Sequence, residues 1–426
     1  MKIFVCLQVL LISSTFSLAQ PVKNSFDQNE ATRIINILAA DDMRGRKTYS
    51  PEIDKAASFI DAEFSKAGLQ FFNGANGFKQ TFSVTRAKFI SASGIVNEKP
   101  IFENNIIAVT TDPYLKINEQ SGYKIASIDT STKLMTQAAR IMQEKKNQVV
   151  FISSFHAAEF NRLKRFKRDN FKTGYHVIFV LHDELPSSYE FEVKHDITEN
   201  TLHNVVGVLP GKSKKDEYVI FSAHYDHLGV GKPNAASDSI YNGANDDASG
   251  TAAVIMLANY FAKMYNNERS IIFTAFTAEE SGGYGSRYFS SQVDAEKIKA
   301  MFNIEMIGTE SKWCLNSAYI TGFEKSDFGN ILQNNLTGSE FRFEADPYPK
   351  QNLFYRSDNA TLAALGVPAH TISTSKMDNE PYYHTPEDET ETLDLKNMVE
   401  IIKAIAISSQ TIISGKDTPS RVVKNE

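Results

Sequence analysis

Residues 221–229, FSAHYDHLG, and 241–250, YNGANDDASG, decide how this chain is read. The first stretch closes an apolar run, 218–223, with two histidines flanking an aspartate. The second sets Asp246 and Asp247 just ahead of small residues that turn into a helix. Imidazole and carboxylate together suit zinc, and a ligating histidine usually needs a partner on its other ring nitrogen to fix the tautomer. His224, with Asp226 two residues on, can supply both, so these two stretches read as half of a metal site.

Working outward, the chain after His203 is strongly α/β. Residues 204–209, 218–223, 271–276, 302–304 and 367–372 read as strands, 252–264 as a buried helix and 393–413 as a C-terminal helix. Near-continuous apolar strands alternating with helices predict a mixed, largely parallel sheet covered by helices on both faces. In such sheets ligands gather where strands end at their carboxyl edges. Those edges carry His224, then Glu279 and Glu280 in FTAEESGGYGS, then Glu305 in FNIEMIG; His384 in YYHTPED lies on a loop before the last helix. A Glu-Glu pair is ordinarily solvated surface, but this one follows an apolar strand and precedes Gly282-Gly283, which favours a functional reading. Two histidines and several carboxylates leaving strands are what a hydrolytic metal site requires, with about three protein ligands per metal and one position open to water.

The N-terminal part offers structure rather than chemistry. Residues 27–39 have helical apolar spacing, and a second helix is signalled by Ser50 as N-cap, Pro51 in the first turn and Gly68 as the stop. Residues 82–200 change texture, with short β-rich runs, two helical patterns and a basic cluster at Lys164, Arg165, Lys167 and Arg168 read as a solvated helix face. His156, His176, His182 and His195 there lack ligand-like companions and read as surface or structural residues; His227 and His370 elsewhere read as structural, as isolated histidines more often are. The division expected is a signal peptide at 1–19, an N-terminal helical part at 20–81, an inserted domain or lid at 82–200, the core at 201–415 and a polar, frayed tail at 416–426.

Residues 1–19 carry one lysine, an apolar run and Ser17-Leu18-Ala19 as a cleavage site, which reads as a secretory signal; the alternative, a membrane anchor, is disfavoured because the run is short and studded with Ser, Thr and Gln. The expectation is export, to the periplasm or beyond. Cleavage would remove Cys6 and leave Cys314 alone, so the mature chain has no internal disulfide. A formal net charge of −6 gives no basic surface for nucleic acid, and no membrane span is evident after the signal. The stretch GVGK at 229–232 lacks the spacing of a phosphate loop. Nothing in the sequence fixes an oligomeric state.

HYDH, GANDDASG, AEESGGYGS, NIEM and YHTPED, in this order, resemble the zinc exopeptidases that include bacterial secreted leucyl-type aminopeptidases, glutamate carboxypeptidase II and the glutaminyl cyclases. The resemblance covers roughly residues 203–410. It implies two Zn2+ ions per chain and peptide substrates. His224 would bind one zinc, oriented by Asp226, with Glu305 completing it; Asp246, three residues before Ser249, would bridge both. Glu280 and His384 would complete the second zinc, Glu279 would be the general base, and Tyr383 would support a developing oxyanion. Asp358 would stand behind the ligands or meet substrate. Glu305 falls where many members have aspartate; its extra methylene keeps the donor but shifts the metal or the strand end. The implied activity is that of an aminopeptidase, the alternatives being glutaminyl cyclisation, carboxypeptidase action on acidic peptides, or a non-catalytic binding relative.

Overall fold

The computed structural model describes residues 25–424, so the expected signal at 1–19 lies outside the described residues. The chain divides into two compact units, one from residues 1–80 and 203–426, the other from 81–202.

The first unit is built on strands β1 (Tyr189–Leu209, its residues from His203 onward), β2 (Lys214–His224), β3 (Arg269–Phe276), β4 (Ile298–Ile304), β5 (Ser317–Ile320), β6 (Arg342–Ala345) and β7 (Ala369–Ser373). Their order is β6-β5-β7-β4-β2-β3-β1. The central pairs β2 with β3, β2 with β4, and β4 with β7 are parallel, as is β5 with β6; β1 with β3 and β5 with β7 are antiparallel. The sheet is therefore mixed and largely parallel, as the apolar runs predict. β5 and β6, four residues each, had no apolar run to announce them.

Period-two alternation sends strand side chains to both faces. Val219, Phe221 and Ala223 of β2 join a core with helices α1 (Gln28–Leu38), α2 (Pro51–Lys66), α3 (Ser249–Met264), α5 (Phe328–Asn335) and α7 (Leu395–Ser408). Ile220 joins the opposite core, with Phe289 of α4 (Tyr284–Ser291) and Leu362 and Ala363 of α6 (Asn359–Ala364). Phe221 stacks on Phe261, Phe273 and Phe302 at centroid distances of 5.6, 5.7 and 4.8 Å, which locks α3 over the central strands. α2 starts as its sequence predicts, with the Ser50 side chain accepting from the Ile53 amide and Pro51 at N1.

The tail was expected to fray, and through residue 424 it does not. Val422 is buried and its amide donates to the Gly366 carbonyl, while Arg421 donates to the Ile298 carbonyl at 2.9 Å. Ser420 also donates to Asp327, and Arg421 and Lys424 pair with Glu296, so polar contacts dock a segment of polar composition. No helix among the described residues is long and apolar enough to cross a membrane.

The second unit has its own cores. Strands Ile106–Val109, Val177–Leu181, Gln148–Ile152 and Lys124–Ile128 form a four-stranded sheet in that order, with helix Leu134–Gln143 packed on one face through Leu134, Ala138 and Ile141. Its other face packs through Val149, Phe151, Ile178 and Val180 against Phe191 and Val193 of the strand Tyr189–Leu209.

Candidate metal centre

The centre is assembled from loops that leave the carboxyl ends of β2, β3, β4 and β7 and from the turn entering α3. His224 is the last residue of β2, Glu305 follows β4 directly, and Glu279 and Glu280 stand three and four residues beyond β3. Asp246 lies in the turn before α3, and His384 on the loop between β7 and α7. Ala278, Met306 and His384 hold left-handed backbone, with φ of 57°, 52° and 58°. Non-glycine residues rarely adopt it, and where they do the surrounding structure has to hold them there. Two glycines create room: a Cβ at Gly250 would lie 2.1 Å from the Ile304 carbonyl, and one at Gly243 would lie 2.2 Å from that of Asp246.

Asp246 divides its carboxylate between two groups of donors. Oδ1 lies 3.2 Å from His224 Nε2; Oδ2 lies 3.3 Å from His384 Nε2 and 3.9 Å from His227 Nδ1. Glu280 Oε1 lies 3.1 Å from both His384 Nε2 and His227 Nδ1. Ligand-type atoms of His224, Asp246 and Glu305 converge within 4.8 Å of one another, as do those of His227, Asp246 and Glu280, and each group could hold a metal ion. His224 Nε2, His227 Nδ1, Glu280 Oε1, Glu305 Oε2 and His384 Nε2 are buried and make no hydrogen bond despite these short separations. Atoms that close without hydrogen-bond geometry are aimed at shared points, and a buried polar atom without a partner is costly unless an ion satisfies it. The donor set of imidazole and carboxylate fits zinc.

The charge balance points the same way. Burial opposes charge on the His224 ring, but the facing Asp226 and Asp246 carboxylates outweigh it and raise its pKa well above the ordinary value. Burial likewise opposes charge on Glu280, and the His227 and His384 rings overcome it, holding the carboxyl at about 2. His384 is driven up to about 10 by Asp246 and Glu280 against the pull of its own burial. Burial pushes Glu279 well above the usual carboxylate range, with Glu305 and Asp358 adding repulsion. Asp226, Asp246, Asp247 and Asp388 all interact with Arg46, a fully buried side chain whose guanidinium donates to the carbonyls of Leu38, Tyr225, Asn242 and Gly243. Burial lowers Arg46 to about 10, which leaves it charged at neutral pH.

Asp226 plays a different part from the one expected. The His224 Nδ1 hydrogen bond, 3.0 Å, goes to the Asp226 carbonyl, while the nearest carboxylate oxygen stands 3.7 Å away. That carboxylate instead accepts from the Glu279 amide at 2.9 Å, the Glu280 amide at 3.3 Å and Thr48 Oγ1 at 3.2 Å. It pins the loop that carries the glutamate pair. Asp358 is fully buried near His224 and Glu305, and burial pushes it to about 7. Tyr383 lines the cleft and stacks on the His384 ring at 3.9 Å. Glu279, Glu280, Met306, Leu353 and Arg356 also line the cleft.

Sequence reading missed several residues here. Asp247 accepts from the amides of His224, Gly250 and Met306 and so ties three site loops together. Asp388 accepts from the amides of Asn245 and Asp246 at 2.7 and 3.0 Å. Both lie inside blocks already singled out, beside stronger candidates. His227, read as structural, is brought to the Asp246–Glu280 side of the centre. His370 is structural: it lies on β7 with Nδ1 bonded to the Thr321 carbonyl, Nε2 beside Ser326 Oγ, and its ring stacked on Phe328.

Fold and centre together set a candidate metal site at the carboxyl edge of a mixed α/β sheet. Residues 204–408 match the model of Peptidase family M28. Aminopeptidase YwaD of Bacillus subtilis (strain 168) is 24% identical over 244 residues, covering 53% of this chain and 48% of YwaD. The chain spans about half the length of the curated relatives it matches. Among solved structures, the aminopeptidase from Aneurinibacillus sp. strain AM-1 superposes with a TM-score of 0.55 at 18% identity, covering 96% of this chain and 98% of that one. BSAP, a zinc aminopeptidase from Bacillus subtilis, gives a TM-score of 0.54 at 16% identity, covering 92% and 97%.

Proposed function

We propose that the protein is an exported, zinc-dependent exopeptidase that removes residues from the N-terminus of peptides. The observation that carries this reading is the convergence of buried ligand-type atoms from separate loops on Asp246, each lacking a hydrogen bond. In this reading His224, Asp246 and Glu305 hold one zinc, and Asp246, Glu280 and His384 hold the second. Bound zinc supplies a Lewis acid and lowers the pKa of a water toward about 7. Glu279 takes a proton from the attacking water and passes it to the leaving amine; its burial, which raises its proton affinity, suits a group that must hold that proton between the two steps. Asp226 fixes the main chain beneath Glu279, and Tyr383, at the cleft wall, donates to the oxygen on which charge develops.

Metal analysis of the purified protein, with a panel of free-amine, N-blocked, acidic and N-terminal glutaminyl peptides assayed before and after chelation, tests this. Two zincs per chain and chelator-sensitive release of N-terminal residues from free-amine peptides are expected. Free-amine activity that survives complete metal removal refutes the mechanism; cyclisation of the glutaminyl peptide without hydrolysis, or cleavage confined to acidic C-termini, refutes the aminopeptidase assignment.

A further inference from the structure

We infer that His227 is a ligand of the second metal, in addition to Asp246, Glu280 and His384; the inference rests on the di-zinc reading above. His227 was unremarkable in sequence, a second histidine three residues after His224 with no companion at ligand spacing. In the structure its side chain is wholly buried, and neither ring nitrogen has a hydrogen-bond partner. An imidazole normally anchors at least one nitrogen, as His370 anchors both. Nδ1 stands 3.1 Å from Glu280 Oε1 and 3.9 Å from Asp246 Oδ2, yet forms a hydrogen bond to neither. Ligands about 2.0–2.1 Å from a zinc ion lie about 3.3 Å from one another at tetrahedral angles, so the separation from Glu280 suits donors that share an ion and the longer one from Asp246 fits only a widened angle. A positioning role would instead need an N–H directed at the Glu280 oxygen.

The ring is also held in place from behind. The His227 amide donates to the Arg46 carbonyl at 3.3 Å, and the bare Cα of Gly243 leaves the space the ring fills, since a Cβ there would lie 2.6 Å from ring carbons. Its seat is therefore rigid, whereas His384 sits on a loop and is one-third exposed. Two imidazoles and two carboxylates then face the second ion, against one imidazole and two carboxylates at the first. More protein donors, and more nitrogen among them, make the second site the tighter and the more selective for zinc over the hard cations. The position open to a substrate oxygen falls on the His224–Glu305 side.

The test compares wild type with His227→Gln by titrating zinc against a chromophoric chelator, and locates zinc in wild-type crystals by anomalous diffraction. Expected are two zincs in wild type filled in sequence, at least a tenfold weakening of the tighter one in the variant, and an anomalous peak about 2.0–2.1 Å from Nδ1. If the variant does not fold, the anomalous peak alone decides. Two wild-type zincs with the nearer peak beyond about 3 Å from Nδ1, or unchanged titration in a folded variant, overturn the assignment and leave the peptidase reading standing. A wild-type protein that takes up no zinc overturns both.

Discussion

Asp226→Asn tests whether one buried carboxylate holds the glutamate pair in place. The native side chain has no solvent exposure and accepts two backbone amides and one hydroxyl. Asparagine keeps the shape but turns one acceptor oxygen into a donor, so at least one of the Glu279 and Glu280 amides loses its partner. An orphaned buried donor costs about 1–3 kcal/mol, and the surviving bond, no longer to a charge, weakens by about 1 kcal/mol. A total of about 2–4 kcal/mol corresponds to a fall in Tm on the order of 3–6 °C for a unit of this size. The loop would shift as it relieves the clash, and a displacement of about 1 Å at a catalytic group costs about a hundredfold in rate. Calorimetry of the metal-free protein reads the first effect, and steady-state hydrolysis of an aminoacyl anilide the second. A Tm within about 2 °C of wild type together with kcat/KM within about threefold would show that Asp226 is dispensable as a clamp.

Glu279→Gln should keep both zincs by metal analysis while turnover falls by about 10²–10⁴, the range for a lost general base; a rate within about tenfold of wild type removes Glu279 from that role. His370 gives a pH dependence. Burial lowers its pKa to about 4 against 6.5 in the unfolded chain, so between those values the unfolded state binds more protons and stability rises with pH. The gain is about 3 kcal/mol across the window. Urea unfolding of wild type and His370→Gln from pH 4 to 7 should show the variant losing that much less on acidification; parallel curves would refute it.

What could be read from the chain was whatever is local. The apolar runs of β2, β3 and β4, the Ser50–Pro51 helix start and the strand-end histidine and glutamates each announce themselves within a few residues. Residues whose role exists only once distant loops meet stayed hidden. Arg46 lies in an unremarkable polar turn, and nothing beside it in sequence foretells its acceptors at Asn242 and Gly243. Asp388 and Asp247 act on backbone amides, which every residue but proline possesses, so no side-chain pattern marks their partners. The exchange at Asp226, carbonyl for carboxylate on His224, turns on a rotamer, and spacing does not encode rotamers.

Arg46 carries one more consequence. The family match begins at residue 204, yet this arginine, far upstream of it, stitches α1 to the segments bearing His227 and Asp246 and sets a guanidinium among the site's anions. The boundary of kinship is thus not a boundary of autonomy: a fragment cut to the matched residues would expose the apolar floor vacated by α1 and α2 and leave the acidic loops to repel one another. Expression of that fragment alone would yield a chain with the motifs of the centre and no centre.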